Sequence, residues 1–134
     1  MNATTSIAVL DWLLDSDPAI RWQTLRDLSG APAEVVATER ARVATEGWGA
    51  RLLALRDHDG LWEGGAVFPA PGWVRNEGQP WTATEPTLTL LRAFGIDPGS
   101  ETMRRAEQTS AAEALKAAAE NLVSFVKSVP KKSG

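Results

Sequence analysis

Asp15-Ser16-Asp17-Pro18-Ala19-Ile20-Arg21-Trp22-Gln23-Thr24-Leu25-Arg26-Asp27-Leu28 is the stretch on which the fold turns. Asp17 stands where a helix N-cap is wanted. Pro18 follows at the first helical position, where a missing N–H removes a donor that has no acceptor within the helix. Trp22, Leu25 and Leu28, with Ala19 or Ile20, recur at helical spacing, and Gly30 supplies a left-handed stop. The segment predicts a helix reaching about Ser29. Arg21 and Arg26 are expected to reach acidic groups on a neighbouring helix, with Asp27 or Asp11 as the candidates.

Working outward, the same periodicity continues on both sides. Upstream, Ile7, Leu10, Leu13 and Leu14 build the inward face of a helix that starts at Thr4 or Thr5, with Trp12 at its edge. Downstream, Pro32 and Glu34 open a helix carrying Val35, Val36, Ala37, Arg40, Val43 and Ala44, and Gly47 ends it. A short helix over Gly49 to Arg56 follows through Leu52, Leu53 and Leu55. Helices this short need neighbours to be stable. From Asp59 to Pro80 the pattern lapses into glycine and proline with Trp62 and Trp73, a loop long enough to be functional or disordered. Helix returns at Thr84, with Pro86 tolerated only in the first turn. Leu88, Leu91, Leu90 and Phe94 point inward and Gly95 stops it. A last helix from about Ser100 to Val129 has Met103, Ala106, Leu115, Ala118 or Ala119, Leu122, Val126 and Val129 on its apolar side.

The fold class is therefore all-α: a helical bundle or partial α/α toroid of five to six helices with a long Gly/Pro/Trp-rich loop. Residues 1–99 form a helical-repeat-like domain. Residues 100–129 form a long alanine-rich C-terminal helix on or beyond it, and 130–134 a flexible tail. Composition changes at this boundary. The basic residues of 1–100 are all arginine, whereas every lysine lies beyond residue 100.

A chain of 134 residues suits one domain. A net charge of −3 argues against nucleic acid as partner, and the absence of cysteine removes disulfides and thiolate metal sites. The best apolar run, Ile7 to Leu14, is interrupted by Asp11 and has no basic residue before it. It reads as neither a membrane span nor a signal peptide, so a cytoplasmic location is the expectation.

Two clusters carry the chemistry the sequence offers. In Asp57-His58-Asp59-Gly60-Leu61-Trp62-Glu63-Gly64-Gly65, Gly60 takes a turn and Trp62 folds back over the preceding helix. Asp57, His58 and Asp59 are the candidate acid–base groups, His58 because an imidazole titrates near neutrality. One histidine with carboxylates two apart is not a converging ligand set, and no metal or other cofactor is assigned. In the second cluster Trp73, Glu77, Trp81, Thr84 and Glu85 place aromatic rings beside carboxylates. With Trp62, they define a candidate pocket for a small apolar or cationic ligand. Structurally, Thr84 reads as an N-cap, and Glu85 suits a positive helix end.

The Asp15–Leu28 stretch, Glu46-Gly47-Trp48-Gly49-Ala50-Arg51-Leu52-Leu53, Asp59-Gly60-Leu61-Trp62, and Trp81-Thr82-Ala83-Thr84 with Leu88 to Leu91 together resemble the opening of bacterial squalene-cyclase or prenyltransferase-like proteins. The likeness spans about residues 5–99, and Gly60-Leu61-Trp62 matches the end of that family's repeated tryptophan motif. It implies an α/α toroid of repeated helix pairs, truncated or divergent here, since a full toroid needs about twice as many helices. The family's Asp-rich acid motif is absent, and its zinc set of Asp, Cys and His cannot form without cysteine. The Asp-Pro-x-x-Arg stretch also resembles HEAT-type repeats, which serve as binding scaffolds. The expected role is a non-catalytic helical-repeat protein that binds a protein partner, a second copy of itself, or a small apolar ligand. The alternative is a terpenoid-cyclase-like enzyme, in which Trp62, Trp73 and Trp81 stabilise a carbocation and Asp57, Asp59 or Glu85 supplies the acid.

Overall fold

The computed structural model describes residues 3–70 and 80–128. Over these residues the chain is all-α. Six helices follow in order: α1 (Ala3–Leu14), α2 (Pro18–Asp27), α3 (Ala33–Ala41), α4 (Gly47–Ala54), α5 (Thr84–Phe94) and α6 (Glu101–Ser128). A 3-10 turn over Arg42–Ala44 joins α3 to α4, and another over Pro80–Thr82 precedes α5. Trp73 and Glu77 lie outside the described residues, as do Val129 and the tail 130–134.

The start of α2 follows the sequence reading, and Asp17 does more than that reading required. Its Oδ1 accepts the Ala19 N–H at 2.9 Å, while Oδ2 accepts the Trp48 N–H, in the first turn of α4, at 2.7 Å. One carboxylate thus caps two helices thirty-one residues apart and fixes the angle between them. Arg21 reaches Glu39 on α3 and lies near Glu46; Asp11 is not its partner. Arg26 pairs with adjacent Asp27 on the surface. The fork of hydrogen bonds to Arg26 holds the Asp27 carboxyl below its ordinary range.

The core gathers Trp22, Val43, Trp62, Leu88, Leu91, Ile96, Met103 and Ala106. Trp22 is the hinge of this packing. Its Nε1–H donates to the Phe94 carbonyl at the end of α5, 2.8 Å away and seventy-two residues along the chain. Gly95 then turns out of α5 at φ 107°, and a Cβ there would lie 2.5 Å from the Trp22 Nε1. Both the left-handed backbone and the indole exclude a side chain at that position.

Several stripes expected inward prove exposed. α1 buries no residue: Leu10, Leu13 and Leu14 are half-buried against α2, while Ile7 and Trp12 face solvent. Leu28, Leu55 and Leu90 are also exposed. Each lies at or beyond a helix end, or one residue off the buried row, where the bundle has no further layer to cover it. The side of α6 that docks on the body is Met103, Ala106 and Ser110, all fully buried. At 100° per residue, Leu115, Leu122 and Val126 lie about 150° around the helix from that docked row. They do not continue it.

Substituting Asp17→Ala removes both caps and is expected to cost about 2 kcal/mol, against roughly half that for a single cap. Gly95→Ala should cost about 3 kcal/mol by combining a strained backbone with overpacking against the indole. Urea unfolding followed by far-UV circular dichroism measures both. An Asp17→Ala loss no larger than one ordinary cap would contradict the double role.

Candidate functional site

The segment after α4 is a set of backbone clamps. Asp57 donates its N–H to Leu61 O at 2.7 Å, and its Oδ2 accepts the Gly64 N–H at 3.0 Å. Asp59 Oδ1 accepts from the Leu61 N–H. Trp62 is 3% exposed and turns its ring back onto α4, where Nε1–H donates to Leu52 O at 2.8 Å. Trp62 and Gly65 form an antiparallel bridge around Glu63 and Gly64, whose φ values of 53° and 66° mark a type I′ turn.

This turn supplies the start of α5. Thr84 accepts the Trp62 N–H at its Oγ1 and donates the same hydroxyl to Gly65 O. The N–H groups of Thr84 and Glu85 donate to Gly65 O and Ala66 O. The orphan donors of α5 are therefore met by loop carbonyls rather than by a capping side chain. Thr84 is the first residue of the helix, and Ala83 takes the cap position without a side-chain bond. Glu85 sits in the first turn as its charge favours, and its Oε1 accepts the Ser110 hydroxyl, tying α5 to α6.

Among the sequence candidates, Asp57, Asp59 and Glu85 spend oxygens on backbone or on Ser110, and His58 is exposed. Trp62 is in the core, whereas Trp81 is 73% exposed. The described indoles of this set thus occupy different environments. Among the described residues no group of three or more His, Cys, Asp or Glu is placed to hold a metal.

The larger unexplained surface is the outer half of α6. Beyond Ala114 every residue to Ser128 is exposed. Leu115 is 71% exposed, Leu122 63%, Phe125 65% and Val126 62%. With Ala118 these side chains occupy an arc of about 100°, and Glu113, Lys116, Glu120 and Lys127 fall within about 60° on the other side. The apolar arc has heptad spacing, with Leu115, Ala118, Leu122 and Phe125 at alternating three- and four-residue steps. Its flank continues onto the body. Val67 and Phe68, both exposed, border a cavity of about 410 Å³ shared with Glu113, Ala114, Ala117, Ala118 and Asn121. The sequence signal for this face is the confinement of four charges to one arc, which reading α6 as a single apolar stripe overlooked.

Glu63 at positive φ is a locally unfavourable choice for a type I′ turn, which prefers Asn-Gly. Glu63→Asn is expected to stabilise the protein by about 0.5–1 kcal/mol, read as a raised urea midpoint at unchanged slope. A neutral or destabilising result would mean that the Glu63 side chain carries a role. No family model, curated protein or solved structure matches this chain.

Proposed function

We propose that this protein is a non-catalytic helical interaction protein whose partner is a second copy of itself, docked through the outer half of α6. In this reading residues 1–99 are a repeat-like scaffold that holds α6 by its first half and presents the second half. The observation that carries the proposal is the exposed arc of Leu115, Ala118, Leu122, Phe125 and Val126, with every charge of that half-helix turned away from it.

Two features favour a second copy. The positions flanking the arc, Ala112, Ala114, Ala119, Asn121 and Ser128, carry no charge. Nothing there repels an identical helix, and nothing specifies a charged partner. Leu115, Ala118, Leu122, Phe125 and Val126 together expose on the order of 500 Å², the size of a typical monomer's largest apolar patch. Pairing two such faces buries about 1,000 Å², near the lower bound for a specific interface.

Volume selects the antiparallel arrangement. Running antiparallel, Leu115 meets Phe125 of the second copy and Ala118 meets Leu122, so that no layer is made of two alanines. Running parallel, Ala118 would face Ala118 and leave a gap between two layers of large residues. A polar face with as many acidic as basic residues gives no preference for an anionic lipid surface.

Size-exclusion chromatography with light scattering across two decades of concentration should show a monomer–dimer equilibrium. Leu122→Gln with Val126→Gln should shift it at least tenfold toward monomer. A wild-type chain that stays monomeric throughout overturns the proposal. Because the protein has no cysteine, orientation is open to a clean test. A mixture of Leu115→Cys and Phe125→Cys proteins should form a heterodisulfide on mild oxidation. Efficient Leu115→Cys homodisulfide formation would instead indicate the parallel arrangement.

A further inference from the structure

The side of α3 that faces the α5–α6 turn is built of residues too small to reach it. Ala37 and Ala41 of α3 and Ala44 of the 3-10 turn that follows it line this side, all three exposed, and α3 itself buries no residue. Across from them stand Leu53 of α4 and Ile96, which is 4% exposed. The result is a trough of about 390 Å³, at the small end of ordinary ligand pockets, with a mainly apolar lining. Leucines in place of those alanines would fill it.

A fixed positive charge stands at its wall. Arg40 donates Nε–H to Gly95 O at 2.8 Å, and its guanidinium carbon lies 5.0 Å from the centre of the Trp22 ring. These two contacts orient the guanidinium while using only one of its five N–H donors. No carboxylate among the described residues comes within ion-pairing distance of Arg40, and the same holds for Arg51, Arg56 and Arg104, but of these four only Arg40 is oriented by a backbone carbonyl and an indole ring at the wall of the trough. The remaining polar groups of the lining are Asp97, Ser100 and Thr102. Asp97 Oδ1 already accepts the Gly99 N–H, and Ser100 Oγ accepts the Met103 N–H.

We infer that this trough binds a small amphiphilic monocarboxylic acid, its carboxylate on the outer nitrogens of Arg40 and its apolar body on Ala37, Ala41, Ala44, Leu53 and Ile96. A preoriented guanidinium matches a carboxylate with two parallel hydrogen bonds, which an alcohol or ester of the same shape does not accept equally well. Asp97 makes the site selective, since a second carboxylate on the ligand would meet a like charge at the rim. This site is separate from the α6 face and does not depend on dimer formation.

Octanoate is the probe, titrated below its micelle-forming concentration and followed by calorimetry and by amide shifts in a nitrogen-15 labelled sample. Saturable binding is expected, with shifts at Ala37, Ala41, Gly95 and Ile96. Arg40→Gln should weaken it about tenfold, the worth of one charge-assisted contact, and Arg40→Lys less. Ala41→Leu should abolish binding with the fold intact, because it occupies the trough. Octanol and the dicarboxylate suberate should bind at least tenfold more weakly than octanoate. The Leu122→Gln, Val126→Gln protein should bind octanoate like the wild type, which separates this inference from self-association. Absence of saturation in the millimolar range, binding indifferent to both Ala41→Leu and Arg40→Gln, or shifts confined to Leu115–Val126 would each overturn it.

Discussion

The Trp22 indole is the contact through which the two halves of the chain become one body. It belongs to α2, yet its N–H is satisfied only by the last carbonyl of α5, and its ring lies where any side chain at residue 95 would have to stand. Arg26 and Arg40 approach its ring at 4.7 and 5.0 Å. A buried indole N–H left without an acceptor costs more than the bond itself contributes. The α5 terminus therefore cannot slide along α2 without exposing that cost. Gly95, the Phe94 carbonyl and the placement of Arg40 all follow from where this one ring sits.

Around that anchor, polar side chains serve mainly to fix backbone. Asp17 joins the starts of α2 and α4, Asp57 closes the loop that begins beyond α4, and Thr84 links that loop to α5. Among the described residues no buried side-chain nitrogen or oxygen lacks a partner. Short helices with little propensity of their own gain their geometry this way. The same economy bears on the acid–base candidates, because a carboxylate oxygen that accepts a backbone N–H is held in place by it.

The surfaces left over are of two kinds. The outer half of α6 is a convex apolar strip whose size and lack of flanking charge suit another such strip. The α3 trough is concave, small and supplied with one oriented cation, which suits a small molecule. Arg40 connects the trough to the anchor, since the Trp22 ring and the Gly95 carbonyl are what hold its guanidinium. Occupancy of the trough is thus expected to stiffen the α2–α5 junction without altering the distant end of α6. Among the described residues no helix is long and apolar enough to cross a membrane, and the apolar strip of α6 covers only one side of that helix.

Local chemistry determined several helix boundaries, though not all: Gly47, expected to end the third helix, instead opens α4, whose first turn is capped from Asp17, and the start of α5 is met by loop carbonyls about twenty residues away. Asp17-Pro18 opens α2, Gly30 and Gly95 adopt the left-handed conformation, Pro86 sits in the first turn of α5, and Trp62 folds back on α4, all as residue type requires. These are decisions within a few residues, governed by hydrogen-bond valence and backbone sterics. Which apolar rows become core was not legible, because periodicity marks a face without naming its neighbour. Ile7, Leu28 and Leu115 have the same spacing as buried leucines and face solvent for want of another layer. The choice of Glu39 for Arg21, the second cap made by Asp17, and the gap left by three alanines opposite Ile96 depend on distances between segments far apart in the chain. Only the tertiary structure sets those distances, through the packing of Trp22 against the end of α5.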